Sequence, residues 1–406
     1  MRVLLITSQF LPIVGGAERQ AHALARMLLA RGHQVLILTR PLPLMPPREV
    51  VDGVPVVRAI RTIDLGPLYG ILYILSVVRF LWRCRHDWDV IHITHLYLDA
   101  FAAVLTRRLH GLPVVVRPAC AGYYGDLARL GRFRAWPVFP GPRGLALRMI
   151  VRSVAQADAF IANSHELRAE LIGARFPPER IARIPNGVDG DHFHPDPRAR
   201  LQEVRRHLGL PLGPLLIFAG RLDPQKGLQT LIEAMRSPSV EALGAHLVLL
   251  GEGPQRAELE AAVRRHDLSA RVLLRGLVDD VAPYLRAGDI FVFPSVGEGM
   301  PNALLEAMAT GLPCVASAIG GCRDVITDRQ TGILVPPGDA TALQGALEEL
   351  LGSPLLREKL GAAAREDAIA RFGLERMAEQ YEACYRAAIA GHLVAGSFGE
   401  GSDRRP

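Results

Sequence analysis

Two doubly wound α/β domains, each a Rossmann-like parallel sheet with helices on both faces, are the fold class the sequence predicts. Three observations predict it. The chain has 406 residues, more than one ordinary core holds. Short unbroken runs of Val, Ile and Leu alternate with helix-length segments, which is how strands buried on both faces read. The alternation occurs twice, on either side of a break rich in proline and charge at residues 192–214.

Taken in order, the strand runs of the first half are RVLLITS, HQVLILT, VPVVRAI, DVIHIT, LPVVVRP, ADAFIANS and IARIPNG. Between the first two lies ERQAHALARMLLARG, with apolar residues at helical spacing and a stop at Gly32. The second half repeats the scheme with PLLIFAGR, AHLVLLGEG, RVLLRGLV, DIFVFPS, LPCVASA and GILVPP. A last helical stretch, LERMAEQYEACYRAAIA, follows. The expected division is a first domain over 1–195 and a second over 196–373. A C-terminal helix at about 374–390 is expected to pack back onto the first, and the Gly-, Ser- and charge-rich tail over 395–406 to be disordered.

Hydrophobic residues at 49% and charged residues at 22% describe a folded chain and exclude a disordered one. The five cysteines show no CxxC spacing, so neither a disulfide framework nor a zinc knuckle is expected. The opening MRVLLITSQF reads as a strand rather than a signal peptide, which with the cysteine pattern predicts a cytoplasmic protein. Charge is unevenly spread. Before residue 196 there are 24 arginines and no lysine against 14 acidic residues; the remainder is slightly acidic. An anionic partner for the first half follows, or else plain solubility. Pro67 to Trp82 is apolar but shorter than the about 20 residues that span a bilayer, so a buried helix is the expectation, with an interfacial helix as the alternative. Arg129 to Arg152 interleaves six arginines with Phe133, Trp136 and Phe139, a composition suited to peripheral docking on an anionic membrane surface.

The chemistry concentrates after two strands of the second half. PLLIF runs into Gly220-Arg221-Leu222-Asp223-Pro224-Gln225-Lys226-Gly227 and then a helix, so this loop sits at the carboxyl end of a parallel strand, where open α/β sheets bind ligands. Arg221 offers a planar fork and Lys226 a point charge, a pair suited to a diphosphate. Lys226 is one of only two lysines among 47 basic residues, which argues against filler. DIFVF runs into Pro294 to Asn302 and then ALLEAMATG. Asn302 is the expected helix cap, and its amides form an anion site. Glu298 in the loop and Glu306 in the helix can accept paired hydrogen bonds from vicinal hydroxyls, such as those of sugars and riboses.

These motifs, GRLDPQKG, Gly251 to Gly253, Glu298 with Glu306, GLPCVAS and TGILVPPGD, resemble the donor domain of family 4 retaining glycosyltransferases, which have the GT-B fold. The likeness extends through the first half: Gly15-Gly16-Ala17-Glu18, DVIH at Asp89 to His92, ANS at Ala162 to Ser164, and IPNGVD at Ile184 to Asp189. The resemblance implies catalytic roles for Arg221 and Lys226 on the donor diphosphate and for Glu298 on the transferred sugar. It implies donor contacts from Gly15, Gly16, Gly220, Gly251, Gly253, Gly299, Met300, Pro301, Asn302 and Glu306, the last on the ribose. Backbone from Arg275 to Val278 would surround the base. Glu18, His92, Gly122 and Asp126 are the acceptor-side candidates.

The sequence departs from the family at one place. After the strand PVVV, where family members often carry a T-x-H-G loop, this chain reads Arg117-Pro118-Ala119-Cys120-Ala121-Gly122, with no histidine. His92 and His95 are the substitutes on offer, though strand and strand-end histidines more often serve the core. Asp87-Trp88-Asp89 and Asp189-Gly190-Asp191 match the D-x-D of metal-dependent transferases, and in this architecture both read as chance. Neither GxGxxG nor GxxxxGK[ST] is present. The expectation is a retaining, metal-independent transferase that needs no cofactor, moving a sugar from a UDP- or GDP-sugar to a hydroxyl of a lipid-linked or polysaccharide glycan. No nucleic-acid partner is expected. A catalytically silent nucleotide-sugar binding or scaffold protein of the same fold is the rival, and an epimerase a more distant one.

Overall fold

In the computed structural model of the chain the described residues are 1–12, 15–62, 67–119, 125–127, 143–196 and 201–392. They fall into two compact units, Met1–Asn186 with the chain from Leu374 onward, and Gly187–Gly373. The expected tail at 395–406 lies outside the described residues, as do Gly122 and most of the Arg129–Arg152 segment.

The first unit is built on eight strands: β1 Arg2–Ile6, β2 Gln34–Thr39, β3 Arg48–Val51, β4 Val54–Arg58, β5 Val90–Ile93, β6 Val114–Val116, β7 Ala159–Ala162 and β8 Ile181–Arg183. Their order in the sheet is β3-β4-β2-β1-β5-β6-β7-β8. All pairs are parallel except β3–β4. The β3–β4 hairpin turns at Asp52 (φ 48°) and Gly53 (φ 82°), two left-handed residues as a tight hairpin requires. The order reverses direction between β1 and β5, which makes the crevice beyond their carboxyl ends the topological switch point.

The helix Leu374–Ile389 belongs to this unit. It lays Met377, Tyr381, Cys384, Tyr385 and Ala388 into the cluster formed by Val3, Leu5, Leu24 and Ile37. On the same helix Glu382 pairs with Arg31 Nε at 2.5 Å and His33 Nε2 at 3.1 Å. Burial alone would raise the Glu382 pKa; Arg31 and His33 outweigh it and hold the carboxyl below its usual range.

The helix Pro67–Arg83 buries Tyr73, Val77 and Leu81, as a core helix should. Its other face exposes Ile71, Leu75 and Trp82. Among the described residues no helix is long and apolar enough to cross a membrane.

The second unit carries β9 Leu215–Ala219, β10 His246–Leu250, β11 Val272–Gly276, β12 Ile290–Phe293, β13 Cys314–Ser317 and β14 Ile333–Val335. The order is β11-β10-β9-β12-β13-β14, parallel throughout, with its switch point between β9 and β12. Leu215 to Ala219 and Ile290 to Phe293 are all buried, as strands covered on both faces must be. The doubly wound α/β expectation is borne out: each predicted apolar run holds a strand, and β3 is the addition.

Candidate active site

In the second unit two loops meet at the switch point. After β9 the chain passes Gly220 to Asp223 and closes a 3-10 turn, Pro224–Lys226, capped by Asp223, whose carboxylate accepts from Gln225 N at 3.1 Å. Gly227 ends that turn at φ 62°, and a Cβ there would lie 2.1 Å from the carbonyl oxygen of Pro294, the residue after β12. Only glycine permits this approach. Val296 N donates to Gln225 O at 2.8 Å, and the Gln225 side-chain amide donates to Gly297 O. The loops after β9 and β12 are thus fastened to each other, which brings Lys226 against Glu298, 72 residues away.

Lys226 Nζ donates to Glu298 Oε1 and lies 5.4 Å from the centroid of the Phe293 ring. Both side chains are largely buried, at 15% and 13% exposure. Arg221 contrasts with them: its side chain is 70% exposed, with Asp223 at 3.7 Å. Glu306 is buried in the helix Asn302–Ala309, and Met300 and Pro301 just before that helix are also buried. One expectation is corrected here. Pro301, not Asn302, takes the cap position, and no side chain caps the helix; Asn302 is already its first helical residue.

Gly220, Gly251 and Gly253 have a packing role of their own. Gly220 N donates to Leu250 O at 3.0 Å and Leu222 N to Glu252 O at 2.9 Å. A Cβ on Gly251 would fall 1.9 Å from Gly220 O, and one on Gly253 2.2 Å from Leu222 O. The loops after β9 and β10 therefore lie backbone against backbone. Gly321 supports Gly299 in the same way, since its Cβ would sit 2.1 Å from Gly299 O. The neighbouring Cys322 is fully buried, and burial, with the Glu298 carboxylate nearby, pushes its thiol pKa far up. Sequence reasoning missed Gln225, Gly321 and Cys322; the Gly320-Gly321 pair after a strand was the signal for the second. Beside the site, Arg275 donates to Leu208 O at 3.2 Å, and Leu277 is exposed.

In the first unit the switch point joins the loops after β1 and β5. Gly15 caps the helix Gly16–Ala30 in an extended conformation, φ −123°. The Glu18 side chain folds back over it, so that a Cβ on Gly15 would meet Glu18 Oε2 at 2.3 Å. Burial works to raise the Glu18 pKa, but His95 and the amides of Glu18 and Gly15 together lower it. Glu18 Oε1 lies 3.9 Å from His95 Nε2, and Asp126 Oδ2 lies 3.9 Å from His95 Nδ1. Asp126 is buried and fixed by Leu96 N at 3.3 Å, Tyr97 Oη at 3.3 Å and Ala119 N at 2.9 Å.

His92 is placed elsewhere. Its ring is buried, its Nδ1 is 2.9 Å from Tyr385 Oη, and burial, with Arg117 nearby, lowers its pKa to about 3. His92 is thus a buried, neutral imidazole packed on Tyr385, whereas it is His95 that stands near Glu18 and Asp126. The D-x-D matches are also structural. Asp89 binds Arg2 through its backbone N at 2.7 Å and its side chain at 2.6 Å, and Asp189 accepts from Asp191 N and His192 N. Among the described residues no group of three or more His, Cys, Asp or Glu could hold a metal.

The comparisons with known proteins agree with this geometry. A family profile described as "Glycosyl transferases group 1" matches residues 213–353, and one described as "Glycosyltransferase Family 4" matches residues 14–192. D-inositol 3-phosphate glycosyltransferase of Xylanimonas cellulosilytica is 32% identical over 90% of this chain and 89% of its own. 2-Deoxystreptamine N-acetyl-D-glucosaminyltransferase of Streptomyces fradiae is 29% identical over 91% and 90%. Among solved structures, sucrose-phosphate synthase from Thermosynechococcus elongatus superposes with a TM-score of 0.77 at 26% identity, covering 96% of this chain and 99% of that one. With two doubly wound α/β units, a family profile matched in each half and a relative 32% identical along nearly the whole length, the chain is a GT-B glycosyltransferase belonging to glycosyltransferase family 4.

Proposed function

We propose that this enzyme transfers a sugar, with retention and without a metal, from a UDP- or GDP-sugar to a hydroxyl acceptor such as a lipid-linked or polysaccharide glycan. The observation that carries the reading is the buried Lys226–Glu298 pair at the β9/β12 switch point, with the exposed Arg221 fork on the same loop. Arg221 and Lys226 grip the diphosphate and take the charge a metal would otherwise carry. Glu298 accepts hydrogen bonds from the sugar hydroxyls and Glu306 from the ribose. As the bond from anomeric carbon to phosphate oxygen breaks, negative charge grows on the departing diphosphate. Arg221, Lys226 and the amides at the start of the helix Asn302–Ala309 stabilise that charge. The acceptor oxygen bonds to the same face of the anomeric carbon, and its proton passes to the leaving phosphate oxygen. No separate base is then required.

Thermal shift against UDP-glucose, UDP-N-acetylglucosamine, GDP-mannose and ADP-glucose tests the donor, because a ligand of the folded state raises Tm by mass action. A shift with ADP-glucose alone, or with none of the four, would sink the UDP- or GDP-sugar reading. Transfer is then followed with D-inositol 3-phosphate and 2-deoxystreptamine, the acceptors for which two relatives are named. Product anomeric configuration by NMR decides retention, and activity in excess EDTA decides the metal.

For a lipid-linked acceptor, the enzyme meets its substrate on an anionic membrane surface. The arginines of 129–152 support this, as does the exposed Ile71, Leu75 and Trp82 face of the helix Pro67–Arg83, which also carries Arg79. Flotation with phosphatidylglycerol vesicles tests it. Failure of the wild-type protein to float, or unchanged flotation after Leu75→Glu, would count against that surface.

A further inference from the structure

One cluster of ionisable groups has no part in gripping the donor. It lies at the β1/β5 switch point and consists of His95, with Glu18 from the helix Gly16–Ala30, Asp126 from the segment 125–127 and Asp99 from the helix Leu98–Leu105. The His95 ring stacks on Tyr97, 5.5 Å between centroids and 19° between planes, which fixes its orientation. Nδ1 is sealed from solvent facing Asp126 and has no hydrogen-bond partner among the described residues. The side chain still keeps 12% of its surface exposed. Nearby, Asp99 Oδ2 and Thr94 Oγ1 are also buried without a partner among the described residues. Buried polar atoms are nearly always satisfied, so a group of orphans around one imidazole marks a place built for something more.

The spacing says what it is built for. His95 Nε2 and Glu18 Oε1 stand 3.9 Å apart, too far for a hydrogen bond to each other. An oxygen placed to one side can lie about 2.8 Å from both, accepting from Nε2–H and donating its own proton to the carboxylate. An alcohol has one donor and acceptor lone pairs on the same atom, as this gap requires. An anion meets the carboxylates of Glu18 and Asp126, and a cation meets the imidazolium.

The imidazolium is also the form the surroundings select. A neutral ring offers one N–H, so its other nitrogen would aim a lone pair at a carboxylate. Burial alone lowers the His95 pKa, but Glu18, Asp126 and Asp99 outweigh it and raise it above the ordinary value.

We propose that the gap between His95 Nε2 and Glu18 Oε1 seats a hydroxyl of the acceptor, with His95 as hydrogen-bond donor and Asp126 as the residue that positions the ring. The proposal rests on the reading of the enzyme as a transferase to hydroxyl acceptors. The imidazolium donates more strongly than a neutral ring and leaves no lone pair facing a carboxylate, so acceptor binding is strongest below the His95 pKa and weakens as pH rises through it.

The test uses the full chain, the nucleotide sugar that gives the largest thermal shift, and D-inositol 3-phosphate and 2-deoxystreptamine as acceptors. His95→Gln should raise the acceptor KM about tenfold to a hundredfold, the weight of one charge-assisted hydrogen bond. It should abolish the alkaline limb of the pH profile and leave the donor-induced Tm shift and the donor KM within about twofold. Glu18→Gln leaves the ring in place and tests the same gap from the other side. With less support for the imidazolium, its alkaline limb should move to lower pH while acceptor KM rises. An active His95→Gln enzyme with the wild-type acceptor KM and pH profile would overturn the proposal alone. A wild-type protein that binds no nucleotide sugar would overturn the parent reading and this one with it.

Discussion

Each unit places a cation beside a carboxylate at its switch point, and the two pairs differ in how closed they are. Lys226 and Glu298 are in direct contact, held by loops whose backbones interlock through Gly227 and the Val296 N–Gln225 O bond. His95 and Glu18 stand 3.9 Å apart, with unsatisfied buried atoms around them. A diphosphate is multiply charged and needs fixed charges that do not rearrange as the transition state forms. A hydroxyl is neutral and needs a gap of the right width. On the proposed reading, the difference between the pairs is the difference between gripping an anion and seating an alcohol.

The largest expected effect breaks the closed pair. Lys226→Ala should lower kcat on the order of 10²–10³, the scale of losing one charge-stabilising donor in other enzymes. It also leaves Glu298 largely buried and unpaired, which costs on the order of 2–3 kcal/mol of stability. Kinetics and denaturant melts measured on the same variant separate the two. Wild-type turnover on a confirmed donor would remove Lys226 from the mechanism.

Gly251→Ala probes what holds the closed site together. Its Cβ would fall 1.9 Å from Gly220 O, at a φ of 135° that only glycine takes readily. A loss of roughly 3 kcal/mol or more is expected, seen as a lower urea midpoint. A variant as stable as wild type but unable to bind donor would give Gly251 a direct role in binding rather than a packing one.

Arg221→Ala should do less. The side chain is 70% exposed, so stability should stay within about 0.5 kcal/mol of wild type. Donor affinity should fall about tenfold to a hundredfold, as for a charge-assisted hydrogen bond. Isothermal titration with the nucleotide diphosphate alone reads this directly, and unchanged affinity would leave Lys226 as the sole grip.

How much of this was legible in the sequence follows from how local each signal is. Strands buried on both faces announce themselves as apolar runs, so the sheets were readable. The edge strand β3, REVV, carries two charges in four residues, and its partner β4 was found while β3 was not. The signal for it was the Asp52-Gly53 turn. The loop residues Arg221, Lys226 and Glu298 were readable because they follow strands. That Lys226 touches Glu298 was not, because the contact joins residues 72 apart through Gln225 and Gly227. The roles of His92 and His95 were beyond the sequence for another reason. Strand alternation puts successive residues on opposite faces, but it does not say that Tyr385, from the far end of the chain, covers one of those faces.

Those two histidines, three residues apart, give the sharpest test of the open pair, though the expected effect is the smallest. His92 has a folded pKa of about 3, far below the ordinary imidazole value of about 6.5. The unfolded chain therefore binds more protons here below that value, so His92 withdraws stability as pH falls below about 6.5. His95 is raised, so its contribution runs the other way: present below the unfolded value and lost as pH rises through the folded one. Carbon-13 NMR of labelled histidine, assigned with His95→Gln and His92→Asn, should find the His92 ring neutral at pH 5 while His95 is protonated. If both titrate together near the ordinary value, His92 is not sealed against Tyr385 and the carboxylates around His95 are too well solvated to hold its proton. The imidazolium that seats the hydroxyl would then be absent at neutral pH, and the comparison between the two switch points would reduce to one working pair.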